Sequence, residues 1–183
     1  MRRRSLKVLL TGTASDSHTW NLVYLRLFLE EQGHRVTGLG PCVPDDLLVA
    51  ACAQPGPELV VISSVNGHGY RDGLSAVRAL RAAGVQVPVA VGGKLGVAGQ
   101  ADPARRDTLL AAGCTAVFDD GDVGALRAFA AALVPGARVP AGSVSGGPVS
   151  AGVAPAGPVT GRVLSAGSVS AGRVPAAAAR SLA

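Results

Sequence analysis

The sequence is poor in aromatic residues, in sulfur, in long apolar runs and, over its last quarter, in acids and aromatics altogether. Cys42, Cys52 and Cys114 show no C-x-x-C spacing. An odd, scattered set of three argues against a disulfide frame or a zinc knuckle and points to small, buried, reduced thiols in a cytoplasmic protein. No apolar stretch approaches the roughly 18 residues that cross a bilayer. The start, MRRRSLKVLL, offers only Val8-Leu9-Leu10 as an apolar run, too short for a signal-peptide core. No membrane association and no export are expected.

The missing acids locate the charge. The 183 residues carry a net charge of +5. Residues 136–183 contain four Arg and no acid, whereas Ser5 to Pro135 holds 10 bases against 12 acids. The excess positive charge therefore belongs to Arg2, Arg3, Arg4 and the C-terminal segment, and nucleic-acid binding is not expected of the body. All six aromatics, Trp20, Tyr24, Phe28, Tyr70, Phe118 and Phe129, precede residue 136. Residues 136–183 are Ala, Gly, Val, Ser and Pro in near-repeats such as SVSGGPV and SVSAGRV. That composition cannot bury enough surface to offset its ordering entropy. Two regions follow: a domain over 1–135, and a disordered low-complexity tail over 136–183.

Within the body, short β-branched runs alternate with amphipathic stretches. The strand candidates are 6–11, 35–39, 59–63, 87–91 and 115–118, nearly all continuously apolar, as parallel strands covered on both faces are. Helices are expected over Trp20 to Gln32, with Leu22, Leu25 and Leu29 facing inward, and over Pro44 to Ala53, Gly73 to Ala83, Pro103 to Ala112 and Val123 to Leu133. Five strands alternating with five helices predict an α/β fold, a doubly wound five-stranded parallel sheet of the Rossmann-like, flavodoxin-like kind. Such sheets bind ligands outside the carboxyl ends of their strands, beside the topological switch point. Attention therefore falls on the loops after strands 1, 3 and 4.

The first loop lacks the G-x-G-x-x-G of a dinucleotide site. It carries Ser15, Asp16, Ser17, His18 and Thr19, with carboxylate and imidazole two residues apart. A loop histidine is a ready metal ligand, and a carboxylate on its other ring nitrogen would set its tautomer. On this pair alone a helix cap beside a solvated histidine is the favoured explanation of the spacing. The second loop carries Ser63, Ser64 and Val65, followed by Asn66-Gly67-His68-Gly69. The third carries Gly92, Gly93, Lys94, Leu95, Gly96, Val97 and Ala98. Three neighbouring loops stripped of bulk suit a long or flat ligand pushed between the strands.

These residues resemble a known family. Asp16-Ser17-His18-Thr19-Trp20-Asn21 is similar to the D-x-H-x-x-G motif of cobalamin-binding domains, Ser63-Ser64-Val65 to their S-x-L/V element, and Gly92-Gly93 to their GG element. Order and spacing agree over roughly Leu6 to Leu133, and the wording around Ser63 to Gly69 and Val91 to Lys94 most resembles the small (sigma) subunits of glutamate (methylaspartate) mutase. The chain departs from the pattern at Asn21, where the family has Gly, and at Lys94, where it has a neutral residue.

The resemblance implies a base-off, His-on cobalamin. His18 would be the lower cobalt ligand, with Asp16 behind it. The displaced nucleotide tail would enter a slot between the loops of Ser63 to Val65 and Gly92 to Ala98. It further implies an adenosylcobalamin-dependent isomerase component that works with a large barrel subunit. That subunit would hold the substrate, glutamate, so no catalytic acid or base is expected in this chain. The alternative is a cobalamin carrier or sensor without catalysis of its own, such as a corrinoid methyl-transfer protein. A receiver-like signalling domain of similar topology fails, because Ser63 and Ser64 stand where its phosphorylatable Asp would end strand 3.

Overall fold

A computed structural model describes residues 5–53, 55–97, 102–119 and 121–134. The expected tail over 136–183, the Arg2–Arg4 cluster and Ala98 lie outside the described residues. The chain runs β1 (Lys7–Gly12), α1 (Trp20–Glu31), β2 (Arg35–Gly40), α2 (Asp45–Ala51), β3 (Leu59–Ser64), α3 (Gly69–Ala82), β4 (Val89–Gly93), α4 (Pro103–Ala111), β5 (Ala116–Phe118) and α5 (Val123–Leu133). The strands form one parallel sheet in the order β2-β1-β3-β4-β5. This is the flavodoxin-like order, and its direction reverses between β1 and β3. The expected α/β architecture is present, with all five strands and all five helices near their expected places.

Alternation along the strands divides the core into two layers. Leu9, Val60, Ile62, Val89, Val91 and Val117 face one way, packed with Leu48, Val77, Leu80 and Leu109 from α2, α3 and α4. Val8, Leu10, Leu59, Val61 and Ala90 face the other way, packed with Leu22 and Leu29 of α1 and Leu126 and Ala130 of α5. Every residue of β3 is buried, as a central strand sandwiched by helices requires. On α1, Leu22 and Leu29 are buried and Leu25 packs beside them. The opposite flank of that helix is apolar too: Trp20, Val23, Tyr24 and Leu27 are all exposed.

The largest boundary correction concerns α3, which begins at Gly69 and not at Gly73. Gly69, expected in the loop before the helix, is here a close-packing residue within it. A Cβ on Gly69 would come within 2.9 Å of Ser64 Cβ and 3.0 Å of Leu95 Cδ2, and one on Gly73 within 3.0 Å of Val91 Cγ1. The two glycines, one helical turn apart, let α3 lie against β3 and β4. β4 is likewise shifted to Val89–Gly93, later than the expected 87–91, because Pro88 precedes it and donates nothing to the ladder. Of the cysteines, Cys52 and Cys114 are buried, and burial pushes both thiols up; Cys42 is exposed. No described helix is long and apolar enough to cross a membrane.

Candidate cofactor site at the carboxyl edge of the sheet

The loop between β1 and α1 is folded around the Asp16 carboxylate. Asp16 N donates to Thr13 O at 3.1 Å, and Asp16 O accepts from Cys42 N at 2.9 Å, which turns the side chain inward. Although 1% exposed, the carboxylate is heavily solvated by protein donors. Oδ1 accepts from His18 N at 3.0 Å and is 2.7 Å from His18 Nδ1. Oδ2 accepts from Ser64 Oγ at 3.0 Å, Val65 N at 2.6 Å and Asn66 N at 3.3 Å. Burial alone would raise its pKa. The hydrogen bonds from His18, Val65 and Ser64 more than offset that and hold it at about 2.

This carboxylate determines which nitrogen of His18 is available. Ionised Asp16 is an acceptor only, so Nδ1 must carry the proton that bridges them. Nε2 is left with its lone pair. The imidazole is half exposed, and Nε2 has no hydrogen-bond partner among the described residues. One buried carboxylate thus orients a solvent-facing imidazole and ties its loop to the start of the loop after β3.

Ser15 is fastened from outside. Its backbone N and its hydroxyl both donate to Asp72 on α3, and Asn66 Nδ2 donates to Ser15 O at 3.0 Å. Asn66 and Asp72 were not anticipated as site residues, since nothing in their local sequence marks partners 51 and 57 positions away. Ser17 and Thr19 are exposed and their side chains make no hydrogen bond among the described residues; Thr19 precedes α1 without capping it through its hydroxyl.

Beside this unit a cavity of about 170 Å³ opens between α1 and α5, over the ends of β3 and β4. The sheet itself explains the space. On this face Val61 pairs with Ala90, and the next pair toward the carboxyl edge is Ser63 with Gly92. Side chains shrink along two neighbouring strands while the helices stay in place, so a wedge is left unfilled. Ser63, Val65, Gly92 and Gly93 line it, as do Trp20, Asn21, Tyr24 and Leu25 of α1, Phe118 of β5 and Leu126 of α5. The α1 and α5 walls were not foreseen: an amphipathic pattern places a helix on a sheet but not on which strands.

Gly93 has φ +102°. A side chain there would overlap the Ser64 carbonyl, the group that accepts from Lys94 N at 2.7 Å. The rest of that loop turns away from the wedge. Leu95 is 2% exposed and packs in the layer beneath α3, its N–H donating to Asp119 at 3.3 Å. Lys94, Leu95 and Gly96 line a separate, shallower depression with Val65, Gly93 and Asp119. Lys94 and Val97 are exposed.

Comparison with known proteins decides the family. The B12 binding domain model matches residues 6–123, which is nearly the whole described body. The chain belongs to the B12-binding domain family. Relatives of this B12-binding domain include glutamate mutase sigma subunit 2 of Haloarcula marismortui, 28% identical over 112 residues, 61% of this chain and 76% of that protein. The glutamate mutase sigma subunit of Halobacterium salinarum is 35% identical over 95 residues, 52% of this chain and 63% of that one. The HTH-type transcriptional repressor CarA of Myxococcus xanthus is 33% identical over 87 residues, 48% of this chain and 30% of the repressor.

Among solved structures, a cobalamin-binding protein from Desulfitobacterium hafniense matches with TM-score 0.58 at 22% identity, over 72% of this chain and 60% of that one. A Francisella receiver domain matches with TM-score 0.56 at 18% identity, over 71% and 97%. Likenesses this distant in sequence concern the fold alone, and the receiver match shows how little topology says about function.

The residues present fit a cobalamin. An oriented imidazole with an unpartnered Nε2 offers a nitrogen ligand of the kind cobalt takes. A narrow, mostly apolar wedge opens beside it, and Val65 belongs to both: its N–H holds Asp16 and its side lines the wedge. Inside, Asn21 Oδ1 is buried without a partner among the described residues. A buried, unpaired acceptor in an otherwise apolar slot marks a position that a ligand group can satisfy.

Proposed function

We propose that this B12-binding domain holds cobalamin base-off and His-on, with His18 Nε2 as the lower ligand of cobalt and the nucleotide tail in the wedge between α1 and α5. The observation that carries the reading is the Asp16–His18 pair. A carboxylate kept ionised by five hydrogen bonds leaves the imidazole one tautomer, the one that presents Nε2 outward. Ser15, Ser17 and Thr19 flank His18 in the same loop, Ser15 held by Asp72 and Asn66. Ser63 and Val65 form one lip of the wedge and Gly92 and Gly93 the other, while the Ser64 hydroxyl is turned to Asp16 and Lys94, Leu95 and Gly96 line the separate depression beside it.

The chain acts as the cofactor-carrying sigma-type component of a carbon-skeleton mutase, converting L-glutamate to 3-methylaspartate in the cytoplasm together with a large barrel subunit. When bound, adenosylcobalamin supplies the radical chemistry of that rearrangement. The chain's own residues bind, orient and shield; no side chain here is assigned proton transfer to substrate. The identities to the sigma subunits support this reading. So does the exposed stripe of Trp20, Val23, Tyr24 and Leu27, an apolar surface of the kind that a partner covers.

The similarity to CarA supports a second reading, a cobalamin sensor or carrier without catalysis. The test has two arms. Mixed with cobalamin, the purified chain gives a base-off, His-on absorbance spectrum that His18→Ala abolishes; an unchanged spectrum in the variant refutes the ligand assignment. Methylaspartate forms only when a large mutase subunit is added. Binding without turnover beside that subunit favours the sensor or carrier, and turnover by this chain alone contradicts both.

A further inference from the structure

Asn21 is the least expected residue of the wedge. It is the second residue of α1, 5% exposed, and its Nδ2 donates to Ser63 Oγ at 3.0 Å. Its Oδ1 has no partner among the described residues. One N–H and the carbonyl oxygen of the amide therefore remain for whatever enters the slot. Trp20 and Tyr24, from the exposed flank of the same helix, stand at the opening with aromatic surface on which a flat base can stack. Burying an amide edge against an apolar group leaves it unpaired, which costs binding; a group with both a donor and an acceptor satisfies it.

Resting on the cofactor reading above, we propose that Asn21 selects the lower base of the corrinoid. The wedge prefers a cobamide whose tail ends in an aminopurine of the adenine class over one ending in dimethylbenzimidazole. The chemistry is complementary in kind. Adenine carries an exocyclic amine beside ring nitrogens, and an Asn amide pairs with that edge through one donor and one acceptor. Dimethylbenzimidazole presents two methyl groups on its outer edge and no donor. The preference does not depend on which way the Asn21 amide is turned, because adenine offers both partners.

The experiment compares hydroxocobalamin, its adenine-based counterpart and cobinamide, which has no nucleotide tail, on the full chain. Binding is read from quenching of Trp20, the chain's single tryptophan, and the His-on state from absorbance. The wild type binds the adenine cobamide about tenfold more tightly than hydroxocobalamin. Asn21→Leu keeps the branching at Cγ, in a somewhat larger side chain, and removes the amide; Asn21→Gly removes the amide and opens the space. Both variants lose the preference while cobinamide binding stays the same.

Three results overturn the proposal: equal affinities in the wild type, a preference that survives in Asn21→Leu, or an equal loss for both cobamides. The second assigns selection to size, and the third assigns Asn21 to the ribose or phosphate that both tails share. Absence of a His-on spectrum with every corrinoid is a different outcome, one that removes the cofactor reading itself.

Discussion

Asp16→Asn separates the charge of the buried carboxylate from its shape. Five hydrogen bonds converge on Asp16, and its carboxyl sits at about 2 against an ordinary 3.8. At roughly 1.4 kcal/mol per pH unit, that difference is worth about 2 kcal/mol to the folded state. Because the folded pKa is the lower one, this stability is fully present above pH ~4 and is lost as pH falls toward ~2. The amide adds a second, pH-independent cost. Its NH2 group must face either the Val65 and Asn66 N–H groups or that of His18, donor against donor, for about 1–3 kcal/mol. The variant is therefore expected to be less stable than wild type by about 3–5 kcal/mol at pH 7.

The assay is urea unfolding of both proteins at pH 7, 5, 4 and 2.5. The gap between them should hold from pH 7 to 5 and then narrow by about 2 kcal/mol in the acid. Ring-nitrogen NMR of His18 gives an independent readout: one tautomer in wild type, a mixture in the variant. A stability gap that stays constant down to pH 2.5 would refute the argument that an ionised carboxylate organises this site.

Two further substitutions test the frame around the wedge. Gly93→Ala places a side chain at φ +102° and against the Ser64 carbonyl, so a loss of at least about 2 kcal/mol and a fall in Tm of roughly 5–10 °C are expected in a thermal melt. An unchanged Tm would mean that the β4 turn relaxes freely. Arg81 at the end of α3 donates to Gly113 O at 2.8 Å, Val85 O at 2.5 Å and Val87 O at 3.0 Å. Arg81→Ala should cost about 2 kcal/mol in urea unfolding, and Arg81→Lys should recover little of it, since an ammonium lacks the planar fork that reaches three carbonyls.

Much of the fold was legible because its signals are local. Continuous apolar runs at 59–63 and 115–118, and Leu22, Leu25 and Leu29 at helical spacing, declare strand or helix without reference to distant residues. The site was legible in outline for the same reason: Asp16 and His18 lie two positions apart, and an Asx turn joins them. Glycine was the least readable residue. Gly69 reads as loop in sequence, yet it lies inside α3 with Gly73, because what the two permit is contact with β3 and β4.

The sequence by itself determined the alternation of elements, the parallel sheet and the three small-residue loops gathered at its carboxyl edge. It also placed the positive charge in segments outside the body. The tertiary structure alone decided three things. Asp16 takes its remaining partners from Ser64, Val65 and Asn66, 48 to 50 residues away. The wedge takes two of its walls from α1 and α5, and Asn21 ends buried within it. Periodicity records which face of an element is apolar. Where two faces meet imperfectly and leave room for a ligand depends on side chains brought together from opposite ends of the chain.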